Sequence, residues 1–198
     1  QINSVVHAYR DLFFNESRGY GDSGSCNNNV NCSEFSDWQN EVRAAAMILT
    51  GGGSRLCSGS LINNVRQDMT QYFLTANHCL GGESSWIFMF NYQSAGCSNQ
   101  DGPTYQTVQG STLLANSSGS DFGLLRLTET IPELYDVNYA GWDATGNTPS
   151  TPVCIHHPSG DIKKITFDYD NASNAGNFWD INSWDDGTTE PGSSGSPL

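Results

Sequence analysis

From residue 44 onward the chain is punctuated. Short runs rich in β-branched and aromatic residues, "AAAMILT", "LCSGSLI", "QYFLTA", "SWIFMFNY", "YQTVQGSTLLA", "DFGLLRL", "TPVCIHH" and "IKKITFDY", are separated by Gly, Asn, Asp, Ser and Pro. Runs of this kind bounded by turn residues read as strands. The alanines of "WQNEVRAAAMILT" also suit a helix, but the glycines at 51 to 53 turn the chain just before the next run, so "AAAMILT" is read as an entering strand. The stretch "TETIPELYDVNYAGWDATGNTP" lacks alternation and reads as the connection between an N-terminal and a C-terminal β-unit. No repeat of 20 to 50 residues is visible, and all-β is the expected class.

Composition agrees. The 198 residues, 36% hydrophobic, suffice for one large domain or two small ones around a shared cleft, and 21 Gly and 7 Pro with 15% charged residues favour strands and turns over a helical bundle. Residues 1 to 20 precede the Gly/Ser/Asn-rich "GYGDSGSCNNNVNCS" and read as an extension leading through a loop into the domain. Six cysteines without paired CxxC spacing imply a disulfide framework, and hence a compartment outside the cytosol. A net charge of -13 disfavours nucleic acid and anionic lipid. No stretch reaches the roughly 20 apolar residues of a membrane span, and the first residues lack a signal peptide's pattern, so the chain is expected to begin after processing or inside a longer precursor.

Three stretches carry candidate chemistry: "FLTANHCL" with His78, "GSDFGLLRL" with Asp121 and "PGSSGSP" with Ser194. A serine hydroxyl attacks at neutral pH only if a base takes its proton, and imidazole titrates in the right range. A buried carboxylate on the other ring nitrogen fixes the tautomer and stabilises the imidazolium. His78, Asp121 and Ser194 are the candidates for these roles, and the backbone N–H groups of Gly192 and Ser194 are candidates for the oxyanion site. Adjacent His156 and His157 in "IHHP" point to opposite faces of a strand and make a poor chelating pair, so neither metal nor cofactor is expected.

Taken together, "CSGSLI", "FLTANHC", "SDFGLLRL" and "GSSGSP" resemble the trypsin-fold serine proteases, and the order His, Asp, Ser agrees. Within them, "SGSC", "NVNC", "NYQSAGC", "AGWD", "IHHP" and "TEPGSSGSP" resemble the bacterial secreted lysyl endopeptidases. The resemblance implies two antiparallel six-stranded β-barrels: residues 21–133 carry His78 and Asp121, and residues 134–198 form a linker and a second barrel carrying Ser194. That barrel is expected to be incomplete because the chain stops just after the nucleophile turn, with a downstream segment completing it. The resemblance also implies Cys57–Cys79 and Cys32–Cys97 disulfides and leaves Cys26 and Cys154 open to mutual pairing, to missing partners or to remaining free.

Two departures from the trypsin pattern matter. Ser193 stands where digestive trypsins carry an Asp that pairs with a new N-terminal amine, and Thr188 stands at the base of the specificity pocket instead of Asp. The expected activity is secreted, extracellular hydrolysis of protein or peptide substrates after Lys, or Lys and Arg, through an acyl-enzyme. The alternative is a catalytically silent homologue acting as a binding or scaffold module.

Overall fold

A computed structural model describes residues 19–198, so the expected extension at 1 to 20 lies, up to residue 18, outside the described residues. The described chain is mostly β with one short helix. It enters through β1 (Asn28–Asn29), passes a 3-10 turn at Ser33–Trp38, and forms α1 (Gln39–Ala44) before β2 (Ala45–Leu49). The alanines that suit either state are therefore divided between them. A six-residue helix has little stability of its own, whereas every residue of β2 is buried and the strand pairs on both sides. Tertiary pairing thus decides where the helix ends.

The following strands lie within or across the runs read from the sequence: β3 (Arg55–Ile62), β4 (Tyr72–Ala76), β5 (Ile87–Phe90), β6 (Thr107–Gln109), β7 (Ser111–Ser117) and β8 (Phe122–Leu127). With β2 they build a seven-stranded antiparallel sheet of order β6-β5-β2-β3-β4-β8-β7. Its two edge strands, β6 and β7, are separated in sequence by Gly110 alone. A single intervening residue keeps the flanking Cα atoms within about 7 Å of each other, so the sheet must curl until its edges converge. Gly110 marks the junction, donating to Trp86 O at 2.8 Å and accepting from Thr128 N at 3.0 Å.

Alternation along β2 links the curled sheet to the rest of the molecule. Ala46 and Ile48 face its interior, packed with Leu61, Phe73, Phe88 and Leu125. The Phe73 and Phe88 rings meet edge to face, with centroids 4.9 Å apart. From the other face, Met47 and Leu49 meet Met89, Tyr92 and Ile162, while Ala45 joins Val30, Val42, Ile155 and Ile165. The second group belongs to a smaller sheet of order β1-β10-β9, made by β9 (Val153–His156), β10 (Lys164–Phe167) and the early strand β1. A hairpin of β11 (Ser173–Asn174) and β12 (Trp179–Asp180) follows. Residues 128–149 contain no named strand; they cross between β8 and β9 through a 3-10 turn at Glu133–Tyr135. No helix among the described residues is long and apolar enough to cross a membrane.

Both disulfides implied by the resemblance are formed. Cys57–Cys79 ties β3 to the turn after β4, and Cys32–Cys97 joins positions 65 residues apart. Closing a loop of that length stabilises the fold by roughly 4 kcal/mol in a chain-entropy account. Cys26 and Cys154 are free, the first exposed and the second buried. Burial pushes the Cys154 thiol up to about 12, with Ser196 as its hydrogen-bond partner. Thiol titration of the folded protein is therefore expected to modify Cys26 promptly and Cys154 only after denaturant is added.

Candidate active site

Pairing of β4 with β8 sets Ala76 opposite Phe122, which places the residues just beyond these strand ends side by side. His78 lies in the 3-10 turn Asn77–Cys79 after β4, and Asp121 immediately precedes β8. Asp121 adopts a left-handed backbone, φ 49°, which Asp tolerates better than most residues. Its carboxylate holds His78 at two points: Oδ1 accepts the backbone N–H at 2.9 Å, and Oδ2 lies 2.7 Å from Nδ1. Asp121 O also accepts Asn77 N–H at 3.0 Å, so the whole turn is registered on this residue. With the carboxylate accepting, Nδ1 carries the proton and Nε2 is the basic nitrogen. The Asp121 side chain is 7% exposed and that of His78 26%, so the carboxylate is enclosed and the imidazole reaches the surface.

Ser194 comes to this place from the far end of the sequence, through its backbone. Its carbonyl accepts Ser58 N–H at 2.9 Å and lies 4.0 Å from Cys79 Sγ, one residue from His78. Two residues earlier, Gly192 O accepts the Ser58 hydroxyl at 2.8 Å. Ser58 Oγ in turn accepts His157 N–H at 3.0 Å, and Ser58 O accepts the Thr75 hydroxyl at 2.8 Å. Every polar atom of this buried serine is thus engaged. Gly195 adopts φ 84°, and a side chain there would collide with Thr75 Oγ1 and stand 2.5 Å from Ser58 O. The turn is pressed onto the middle of β3 and the end of β4 so closely that only glycine fits.

The N–H groups of Gly192 and Ser194 make no hydrogen bond among the described residues, whereas that of Ser193 between them donates to Glu190 O at 2.9 Å. Unpaired neighbouring donors of this kind are what a developing oxyanion requires. Glu190 braces the turn from behind by accepting from Gly24 N at 2.8 Å, Asn27 Nδ2 at 2.7 Å and Ser159 Oγ at 2.6 Å. Asp161 holds the same incoming segment, accepting from Gly21 N at 2.9 Å and Ser23 Oγ at 2.6 Å. Ser58 was not singled out from the sequence. The available signal was weak, a serine between Cys57 and Gly59 in a strand that also carries Arg55 and Ser60.

Beneath the turn lies a group of buried basic residues. His156 and His157 are held well below the ordinary imidazole range, His156 at about 3, by burial and then by Lys164 and Lys163 respectively. Their Nδ1 atoms take separate partners, Ser193 Oγ at 2.7 Å and Asp161 O at 3.0 Å. Burial lowers the Lys163 amine to about 7, and its Nζ donates to Val42 O at 2.7 Å.

The fold first defines a class. The chain superposes on the crystal structure of protease Anisep from Arthrobacter nicotinovorans with TM-score 0.53 and 20% identity, covering 78% of this chain and 76% of that one. On the atomic-resolution structure of HBP the TM-score is 0.55 at 15% identity, covering 80% of this chain and 75% of that one. The fold is that of the trypsin-like proteases. The lysyl endopeptidase C-terminal domain pattern matches residues 20–198, and the chain belongs to that family. It is also similar to the lysyl endopeptidase of Pseudomonas aeruginosa strain PAO1, 32% identical over 201 residues, covering 91% of this chain. The chain spans 43% of that relative's length.

Two outcomes follow from this geometry. Ser58→Ala strands the Gly192 carbonyl and the His157 N–H and is expected to cost on the order of 3 kcal/mol in denaturant unfolding. Between about pH 7 and the ordinary lysine value of 10.5, the unfolded chain holds a proton on Lys163 that the folded chain lacks. Stability is therefore expected to rise with pH across that window, and Lys163→Met should flatten the slope in pH-dependent melting.

Proposed function

We propose that this chain carries the catalytic centre of a secreted serine endopeptidase. His78 is the general base, Asp121 its orienting acid and Ser194 the nucleophile. The N–H groups of Gly192 and Ser194 form the oxyanion site. Residues 21–133 supply the base and acid, and residues 134–198 the nucleophile. The observation that carries this reading is the two-point grip of Asp121 on His78 beside a turn whose Ser194 backbone is bound to Ser58 and packed against Cys79.

The chemistry follows from those positions. With Nδ1 engaged by Asp121, Nε2 of His78 removes the Ser194 proton as Oγ attacks the scissile carbonyl. Negative charge develops on the carbonyl oxygen, where the two N–H groups stabilise it without reorganising. The imidazolium, stabilised by Asp121, then protonates the departing amine, and water releases the acyl group by the same sequence in reverse. Because one carboxylate holds both the backbone and the ring of His78, the imidazole keeps its orientation through both proton transfers.

Family membership supports cleavage after Lys, or after Lys and Arg, and the acidic balance of the chain favours cationic substrates. Thr188 contributes no charge at the position read as the pocket base. A groove of about 650 Å³ opens beside the nucleophile turn, with Trp38, Ile62, Trp142 and Trp179 among its walls. The disulfides and the secreted type of the resemblance support an extracellular location.

A fluorophosphonate probe is expected to label the full-length protein at Ser194, with peptide mapping as the check. Ser194→Ala should abolish labelling and lower peptidase kcat by about 10⁶-fold. Full activity in that variant overturns the reading. A panel of peptides differing only before the scissile bond is expected to rank Lys first, with Arg next.

A further inference from the structure

Ser193 lies between the two proposed oxyanion donors, and all of its polar atoms face inward. Its N–H donates to Glu190 O at 2.9 Å, its carbonyl accepts Ser196 N–H at 3.0 Å and also the Ser196 hydroxyl, and its side chain is buried. Its Oγ accepts Glu190 N–H at 3.0 Å and lies 2.7 Å from Nδ1 of His156, itself wholly buried on β9.

Burial fixes the direction of that last hydrogen bond, because each polar group left unpaired there costs free energy. His156 Nε2 is buried and has no partner among the described residues. If Nδ1 held the proton and donated to Ser193, both the Ser193 hydroxyl proton and the Nε2 lone pair would lack partners. If Ser193 donates to Nδ1, only the Nε2 proton is left over. The second arrangement leaves fewer buried groups unmade. Burial and Lys164 keep His156 neutral down to about pH 3, so the accepting lone pair persists over any working pH.

We propose that His156 is a positioning residue for the nucleophile turn: by accepting the Ser193 hydroxyl proton it fixes Ser193 inward and thereby holds the flanking Gly192 and Ser194 N–H groups toward the oxyanion. The inference rests on the reading of Ser194 as the nucleophile. It replaces with a neutral hydrogen bond the ion pair that Ser193 cannot form. No newly created charge is required, so the turn's geometry is set as soon as β9 is in place.

The test uses the full-length protein, a peptide ester with Lys before the scissile bond, and the matching peptide boronate, which takes up tetrahedral geometry at the serine. Ser193→Ala and His156→Phe are each expected to lower kcat and boronate affinity by about 10²-fold, the size of effect a misplaced catalytic group produces. KM should stay within about twofold, since donors acting only on the oxyanion are not used in the ground state. His156→Asn sets an amide oxygen where Nδ1 stood and should recover most of the loss, and the double variant should be no worse than either single. Unchanged kcat in Ser193→Ala overturns the proposal, as does an equal loss in His156→Asn and His156→Phe, or additive losses in the double variant. Ser193→Ala adds no bulk and decides the matter even if His156→Phe fails to fold. Ser194→Ala separates the two readings: if it stays active the nucleophile assignment fails, whereas if it is inactive while Ser193→Ala and His156→Phe match the parent, only the present inference fails.

Discussion

One buried serine ties together the turns that carry His78 and Ser194. Ser58 gives its N–H to Ser194, its hydroxyl proton to Gly192, its Oγ lone pair to His157 and its carbonyl to Thr75. The first two partners lie on the turn that carries Ser194, the third follows β9, and the fourth belongs to β4 just ahead of the His78 turn. A hydroxyl is the smallest side chain that can both donate and accept in one place, and here both capacities are used. The spacing between the His78 turn and the Ser194 turn is therefore set by short hydrogen bonds to a common point, with Gly195 allowing the contact to be close.

The polar interior around this point runs on neutral or singly satisfied groups. His156 and His157 are uncharged, and Lys163 sits near its own titration point with one carbonyl as its acceptor. Carboxylates are used differently. Asp161 and Glu190 each gather several N–H and O–H donors, from residues 21 to 27 and, for Glu190, from Ser159 in the turn after β9. Charge at the margins is thus spread over many donors, while the centre avoids the cost of unpaired buried charge.

Much of the fold was legible because alternating burial and turn residues leave local marks. Each of the quoted runs contains or overlaps a strand, and the closeness of His78 and Asp121 follows from strand ends flanked by recognisable residues. The parts that were not legible depend on distant partners. Strand β1 is two residues of asparagine, which sequence preference would not place in a sheet; it exists because β10 offers it an edge. The alanines at 44 to 46 leave helix and strand evenly matched until β3 and β5 pair with them. Ser58 is one small residue in a strand, and its importance arises only from carbonyls more than a hundred residues later. The two histidines take separate partners: His157 finds the carbonyl of Asp161 four residues on, which is local, whereas His156 meets Ser193 on a segment 37 residues later, which is not.

The pairing of β1 with β10 also bears on how the molecule comes to be folded. Asn28 lies against Ile165, and Gly21 and Ser23 rest on Asp161, at separations of 138 to 140 residues for the latter contacts. Such contacts reward the chain only after a very long loop has closed. The curled sheet, whose neighbours are mostly successive strands, has no such requirement. The smaller sheet forms only when its earliest strand meets its latest, so the support of the Ser194 turn rests on contacts between the two ends of the described chain.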